Sequence, residues 1–104
     1  MIKQKSVPAA LDETTAAHVA ELFRSFSDTS RVRIVSVLVS GKMNVSALAQ
    51  AVGISESAVS HHMRGLRQMR LVTSRKEGKE VYYCVEDEHI IRLFQQGVKH
   101  VQDE

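Results

Sequence analysis

The chain has one cysteine, Cys84, one proline, Pro8, and no apolar run of membrane-spanning length. A lone cysteine forbids an internal disulfide and points to a reducing cytoplasm. The opening stretch MIKQKSVPAALDE lacks the apolar core of a secretory signal. There is no glycine-rich phosphate loop and no nucleophile–base pattern, so an enzyme is not expected. The proline falls within residues 1–11, which read as a flexible N-terminal arm. The other 12–104 read as one domain, since 104 residues with 43% hydrophobic content support a single modest core.

The formal net charge of +2 says little, but its distribution says more. Residues 41–85 carry seven Lys/Arg against three acids, whereas residues 86–104 carry two against five. A basic middle suits a polyanion, and an acidic end suits cations.

Hydrophobic spacing predicts a helix from Thr14 to about Phe26 through Val19, Leu22, Phe23 and Phe26. Ser27 and Asp28 break it, and Asp28 can cap a second helix that stops at Gly41. A short third helix, about Val45 to Val52, closes at Gly53. Ser55 can cap a fourth, running to about Arg70. LVTSRK and KEVYYCV are β-prone runs around a turn at Glu77-Gly78, and Asp87 opens a last helix. The expected order is ααααββα, mainly helical with a β-hairpin.

VSALAQAVGISESAVSHHMRGLRQM has the layout of a helix-turn-helix: a short helix, a glycine turn and a capped second helix. In the second helix Ala58, Val59, His62, Leu66 and Met69 cluster on one side and are expected to pack inward. Ser57, Ser60, His61, Arg64 and Gln68 face the opposite way, with Arg67 at the edge. Small hydroxyls permit close approach to a major groove, while the imidazole, amide and guanidinium reach base edges or phosphates. Arg75, Lys76 and Lys79 bracket the hairpin tip, as expected of a wing that follows the DNA backbone. Adjacent His61 and His62 diverge by about 100° on a helix, which disfavours a shared metal ion.

Three stretches taken together resemble the ArsR/SmtB winged-helix repressors, bacterial metal sensors. They are FRSFSDTSRVRIVSVL, in which Thr29-Ser30 replaces the usual Pro-Thr and Arg31 is retained; ISESAVSHHMRGLRQMRLV; and RKEGKEVYYCV. The resemblance covers residues 12–104 and implies a winged helix-turn-helix homodimer that binds double-stranded operator DNA in the bacterial cytoplasm. One branch of the family places cysteines at the start of the third helix. Here Asn44 stands in that place, which disfavours thiol-dependent sensing of arsenic, cadmium or lead.

The last helix, EDEHIIRLFQQGVKHVQDE, resembles the zinc-sensing branch, and the resemblance implies Asp87, His89, His100 and Asp103 as metal ligands. Eleven residues bring His89 and His100 back to one azimuth, yet leave them about 16 Å apart along the axis. One chain cannot close such a site. Two antiparallel copies, with the dyad between Phe94 and Gln95, would set Asp87 and His89 against the other copy's His100 and Asp103. Asp87 and His89 converge only if Asp87 is the non-helical cap. Glu104 is a substitute for Asp103 if the terminus frays.

Two imidazoles and two carboxylates suit Zn2+, with Co2+ able to substitute. His18 is a surface residue on this reading, and Cys84 a buried strand thiol. Ile90, Phe94, Val98 and Val101 form an apolar face for the body or a partner, and Gly97 suits close helix approach. The expectation is a zinc-responsive repressor whose metal-free dimer holds a palindromic operator and whose metal-bound form releases it, freeing genes for efflux or sequestration. The alternative is a repressor of the same family that answers to a non-metal signal or to another divalent metal, cobalt or nickel, with the two histidines serving only as polar-face residues.

Overall fold

The computed structural model describes residues 7–103. The element order is α1 Glu13–Ser25, α2 Thr29–Leu38, β1 Met43–Asn44, α3 Val45–Val52, α4 Glu56–Gln68, β2 Thr73–Glu77, β3 Glu80–Cys84 and α5 Glu88–Gln102. Four helices, a hairpin and a last helix follow the expected order. The addition is β1, a two-residue strand that pairs antiparallel with β3, Met43 opposite Tyr83, giving the sheet order β1-β3-β2. Two residues carry no alternation, so no periodic signal marks such a strand. None of the helices among the described residues is long and apolar enough to cross a membrane.

Each helix starts where a short polar side chain can take up free backbone amides. Asp12 accepts from the Thr15 amide at 3.0 Å and Asp28 from those of Ser30 and Arg31 at 2.8 and 3.1 Å. Asn44 accepts from Ala47 at 2.8 Å, Ser55 from Ala58 at 3.1 Å and Asp87 from His89 at 2.8 Å. α3 ends at Gly53, whose φ of 79° is a left-handed cap that favours glycine. Arg33 closes the same end by donating to the Val52 carbonyl at 3.0 Å. The hairpin turns through Gly78 and Lys79, one residue later than expected. Gly78, at φ 65°, takes the first loop position.

The core joins Ile34, Val35 and Leu38 of α2, Leu48, Ala49 and Val52 of α3, and Val59, Met63 and Leu66 of α4. Leu71, Val72 and Val85 extend it to the base of the hairpin. Within α4 the inward side is centred on Met63, which is fully buried and was not among the residues expected there. Ala58, His62 and Met69 are half-buried at its margins. Azimuths estimated at 100° per residue tolerate such a rotation of the buried sector, because three or four neighbouring residues straddle its edge.

α1 and α5 lie outside this core. Leu22 and Phe26 touch it from one and Ile90, Ile91 and Phe94 from the other, with the rings of Phe26 and Phe94 6.4 Å apart. No residue of α5 is fully buried, and residues 7–21 are exposed throughout. Between the two helices lies an open apolar groove of about 690 Å³, lined by Phe23, Phe26, Val32, Phe94, Val98 and Val101 among others.

Met63→Ala is expected to cost roughly 2–5 kcal/mol in urea unfolding at fixed protein concentration, as for other buried large-to-small changes. Met69→Ala, at the half-buried margin, is expected to cost clearly less. A second expectation concerns Asp28. Its carboxyl is held below the ordinary carboxylate range, first by the Arg31 amide, and next, against the opposing effect of burial, by the Ser30 amide and the nearby His62 and Arg31. A lowered native pKa stabilises the fold above the unfolded value of 3.8, and this contribution is lost as pH falls through the native one. The advantage of wild type over Asp28→Asn in thermal midpoint should therefore be present at pH 5 and vanish in strong acid.

Candidate nucleic-acid interface and metal centre

α3, the Gly53 turn and α4 form the helix-turn-helix, and the buried side of α4 dictates its outward one. With Val59, Met63 and Leu66 turned into the core, Ser57, Ser60, His61, Arg64, Arg67 and Gln68 are all exposed. Ser57 is partly engaged, its hydroxyl 3.3 Å from that of the capping Ser55. The two histidines separate as expected. His61 is exposed, whereas His62 is half-buried and accepts at Nδ1 from Arg31 Nε at 3.2 Å. This pairing spans 31 positions in the chain. Local patterns hold no trace of it, except that Gly65 is an odd residue for a helix interior.

The strand pleat divides the basic residues of the hairpin. Arg75 pairs in register with Tyr82 and Lys76 with Val81, so consecutive side chains leave opposite faces. Arg75 donates to Glu86 at 3.3 Å at the base of the hairpin. Lys76 and Lys79 are exposed and form no ion pair among the described residues. The hairpin is anchored to the segment before α3 by contacts that no local sequence pattern marks. Lys42 reaches Glu77 at 2.7 Å and lies 5.1 Å from the Tyr82 ring centre, while Asn44 donates to Glu80 at 3.0 Å. Asn44 thus caps α3 and ties it to β3.

Asp87 meets the condition set for it. As the non-helical cap of α5 it accepts from the His89 amide at 2.8 Å, and its Oδ1 lies 3.0 Å from His89 Nδ1. These hydrogen bonds, the backbone one foremost, hold its carboxyl below the ordinary range. An ionised carboxylate only accepts, so Nδ1 carries the proton and a neutral His89 presents its Nε2 lone pair outward. The ring is 92% exposed, so that lone pair is free for a ligand. At the other end of α5, Asp103 is the C-cap residue and pairs with Lys99 at 3.2 Å, and His100 is exposed. Glu104 lies outside the described residues, as do residues 1–6 of the N-terminal arm.

No cluster of three or more His, Cys, Asp or Glu side chains suited to a metal occurs among the described residues of one chain. Asp87 and His89 form one nitrogen–oxygen donor pair of the kind zinc takes. His100 and Asp103 share the far end of the helix without bonding to each other among the described residues, Asp103 being engaged by Lys99. Among the described residues outside its own helix, nothing lies within 4 Å of where a methyl group on Gly97 would stand. His18 is exposed on α1. Cys84 is half-buried on β3, 3.3 Å from the Thr73 hydroxyl.

Comparison with known proteins agrees with this architecture. The family model described as bacterial regulatory protein, arsR family, matches residues 28–74. A transcriptional repressor SmtB homolog of Synechocystis sp. is 40% identical over 96 residues, which is 92% of this chain and 73% of that one. A cadmium resistance transcriptional regulatory protein CadC homolog of Staphylococcus aureus is 37% identical over 86 residues, 82% of this chain and 71% of that one. The homodimeric winged helix-turn-helix DNA-binding domain of a possible ArsR-family regulator from Mycobacterium bovis, known from solution NMR, superposes with a TM-score of 0.77 at 27% identity. The match covers 93% of this chain and 96% of that one. The chain belongs to the arsR family of bacterial regulatory proteins and is a winged helix-turn-helix transcription regulator, not an enzyme.

Proposed function

We propose that this regulator is a homodimeric, zinc-responsive repressor whose metal-free form holds operator DNA and whose metal-bound form releases it. The observation that carries the reading is the arrangement of α5: an outward-facing Asp87–His89 pair at one end, His100 and Asp103 at the other, and an uncovered apolar groove alongside.

The dimer is supported by the surface left bare. Phe23 and Val101 are 53% and 69% exposed beside the groove. Two α5 helices running antiparallel would bring Asp87 and His89 of one chain to His100 and Asp103 of the other. Zinc would be held there by two imidazoles and two carboxylates, supplying a cross-link between protomers. The cadmium-resistance relative and the homodimeric structural neighbour are consistent with this reading.

For DNA, α4 would enter the major groove with Ser57, Ser60, His61, Arg64 and Gln68, and the wing would follow the backbone with Arg75, Lys76 and Lys79. Lys76 and Lys79 have no ion-pair partner among the described residues, whereas Arg75 must first leave Glu86. The operator would be palindromic, its half-sites one helical turn apart. Residues 1–11 would be an arm outside the domain. The pairing of Asp103 with Lys99 favours the alternative of a non-metal signal, because a cation entering there must displace an ammonium group. Removing that ammonium separates the two readings.

A duplex selected by the metal-free protein from a random-sequence pool provides the DNA probe. Arg64→Ala is expected to weaken its binding by about 1–3 kcal/mol and relax base preference at one position in each half-site. Lys76→Ala should weaken all sequences alike and lower the salt slope by about one per protomer. In a cobalt titration, wild type should develop ligand-field absorption that saturates at one ion per protomer. His89→Ala and His100→Ala should abolish it, and Lys99→Met should tighten binding. Zinc should release the duplex from wild type but not from His100→Ala, and sedimentation should report a dimer in each case. Release that persists in His100→Ala, or a Lys99→Met variant blind to cobalt, would remove α5 from the account.

A further inference from the structure

Arg31 leaves the first turn of α2 and crosses to the middle of α4. Its Nε donates to His62 Nδ1 at 3.2 Å, and its guanidinium lies against the bare backbone at Gly65. A methyl group at position 65 would stand 2.7 Å from Nη2 and 3.0 Å from Cζ and Nη1. His62 and Gly65 are three residues apart, neighbours on one helical face. Glycine is disfavoured in a helix interior, and here the missing Cβ is what admits the guanidinium. Asp28, the cap of α2, accepts from the Arg31 amide and so fixes the backbone from which the side chain leaves.

We propose that Arg31 is a positioning residue for DNA reading, with His62 as its acceptor and Gly65 as its seat. Val59, Met63 and Leu66 bury α4 through apolar contacts, which choose its inward side but supply no directional bond. A rotation of about 20° about the helix axis moves groups on its surface by about 2 Å, which is more than a hydrogen bond tolerates. The Arg31 hydrogen bond is directional and half-buried, and the bare backbone at Gly65 is what lets the planar guanidinium lie close enough to make it. Together they set the azimuth of α4. They therefore set the direction of Ser60, His61 and Arg64, which leave the helix within a few residues of the contact. Arg31 need not touch DNA to control what does. The inference rests on α4 being the reading helix.

The test measures affinity for the selected duplex and thermal midpoint for wild type, Arg31→Met, Gly65→Ala, the double variant and Arg64→Ala. Arg31→Met keeps most of the aliphatic stem. Gly65→Ala displaces only the flexible end of Arg31, and alanine favours helix, so its midpoint should hold or rise. Arg31→Met and Gly65→Ala should each weaken binding about tenfold, the scale of one hydrogen bond to a charged group. The double variant should be no weaker than either one, because both remove the same contact. Wild-type affinity in either single variant, or losses that multiply in the double, would overturn the proposal while Arg64→Ala still binds weakly. Wild-type affinity in Arg64→Ala would instead show that α4 is not the reader, and the proposal would fall with that reading. Should Arg31→Met fail to fold, Gly65→Ala decides alone: weaker binding at an undiminished midpoint supports the proposal, and unchanged binding sinks it.

Discussion

The burial of Val59, Met63 and Leu66 against α2 and α3 is the constraint on which the rest of the molecule depends. A helix that gives one side to a core has only the other to offer. The exposed row from Ser57 to Gln68 is therefore a consequence of packing before it is a property of recognition. The same core reaches the foot of the hairpin through Leu71, Val72 and Val85, so helix and wing share one rigid base. A core of this size has little apolar surface left for α1 and α5. It binds them by their margins and leaves the groove between Phe23, Phe94 and Val101 uncovered.

Local chemistry made much of this legible. Asp28, Ser55 and Asp87 each precede a periodic apolar run, and each caps the helix expected of it. Gly53 and Gly78 mark turns because positive φ is costly for other residues. What escaped notice depends on pairings distant in the chain. Strand β1 exists only because β3 returns to it. The Arg31–His62 bond and the Lys42–Glu77 bridge join residues more than thirty positions apart. Met63 was missed for a different reason, since a few tens of degrees in estimated azimuth decide whether a residue sits at the centre or the edge of a buried sector.

The candidate site divides along the same line. The outward side of α4 follows from periodicity alone, and so does the common azimuth of His89 and His100. The convergence of Asp87 and His89 does not, because it requires the cap conformation in which φ is −75° and ψ 114°. The wing is the opposite case. Its charges are plain in the sequence, but Arg75 and Lys76 leave opposite faces, and Glu86 already holds Arg75. Composition counts charges without regard to where the pleat sends them or what neutralises them.

Under the proposed function, the two ends of the regulator must exchange free energy, and by linkage DNA must weaken metal binding by the factor with which metal weakens DNA binding. The chain offers a short route for this. Glu86 lies directly before the cap residue Asp87 and is the partner of both Arg75 and Thr73 on β2. Val85, one residue earlier, is buried in the core that also seats α4. A change in the direction of α5 imposed at Asp87 and His89 thus meets the foot of the wing within two residues. At the other end of the groove, Phe94 meets Phe26, which precedes the cap of α2 by two residues, and Arg31 follows that cap by three. Both routes end at groups that set the attitude of α4 and the wing, not at the side chains that would touch bases. A switch built this way needs only a small displacement, since two reading heads in a rigid dimer must match groove spacing at both half-sites together.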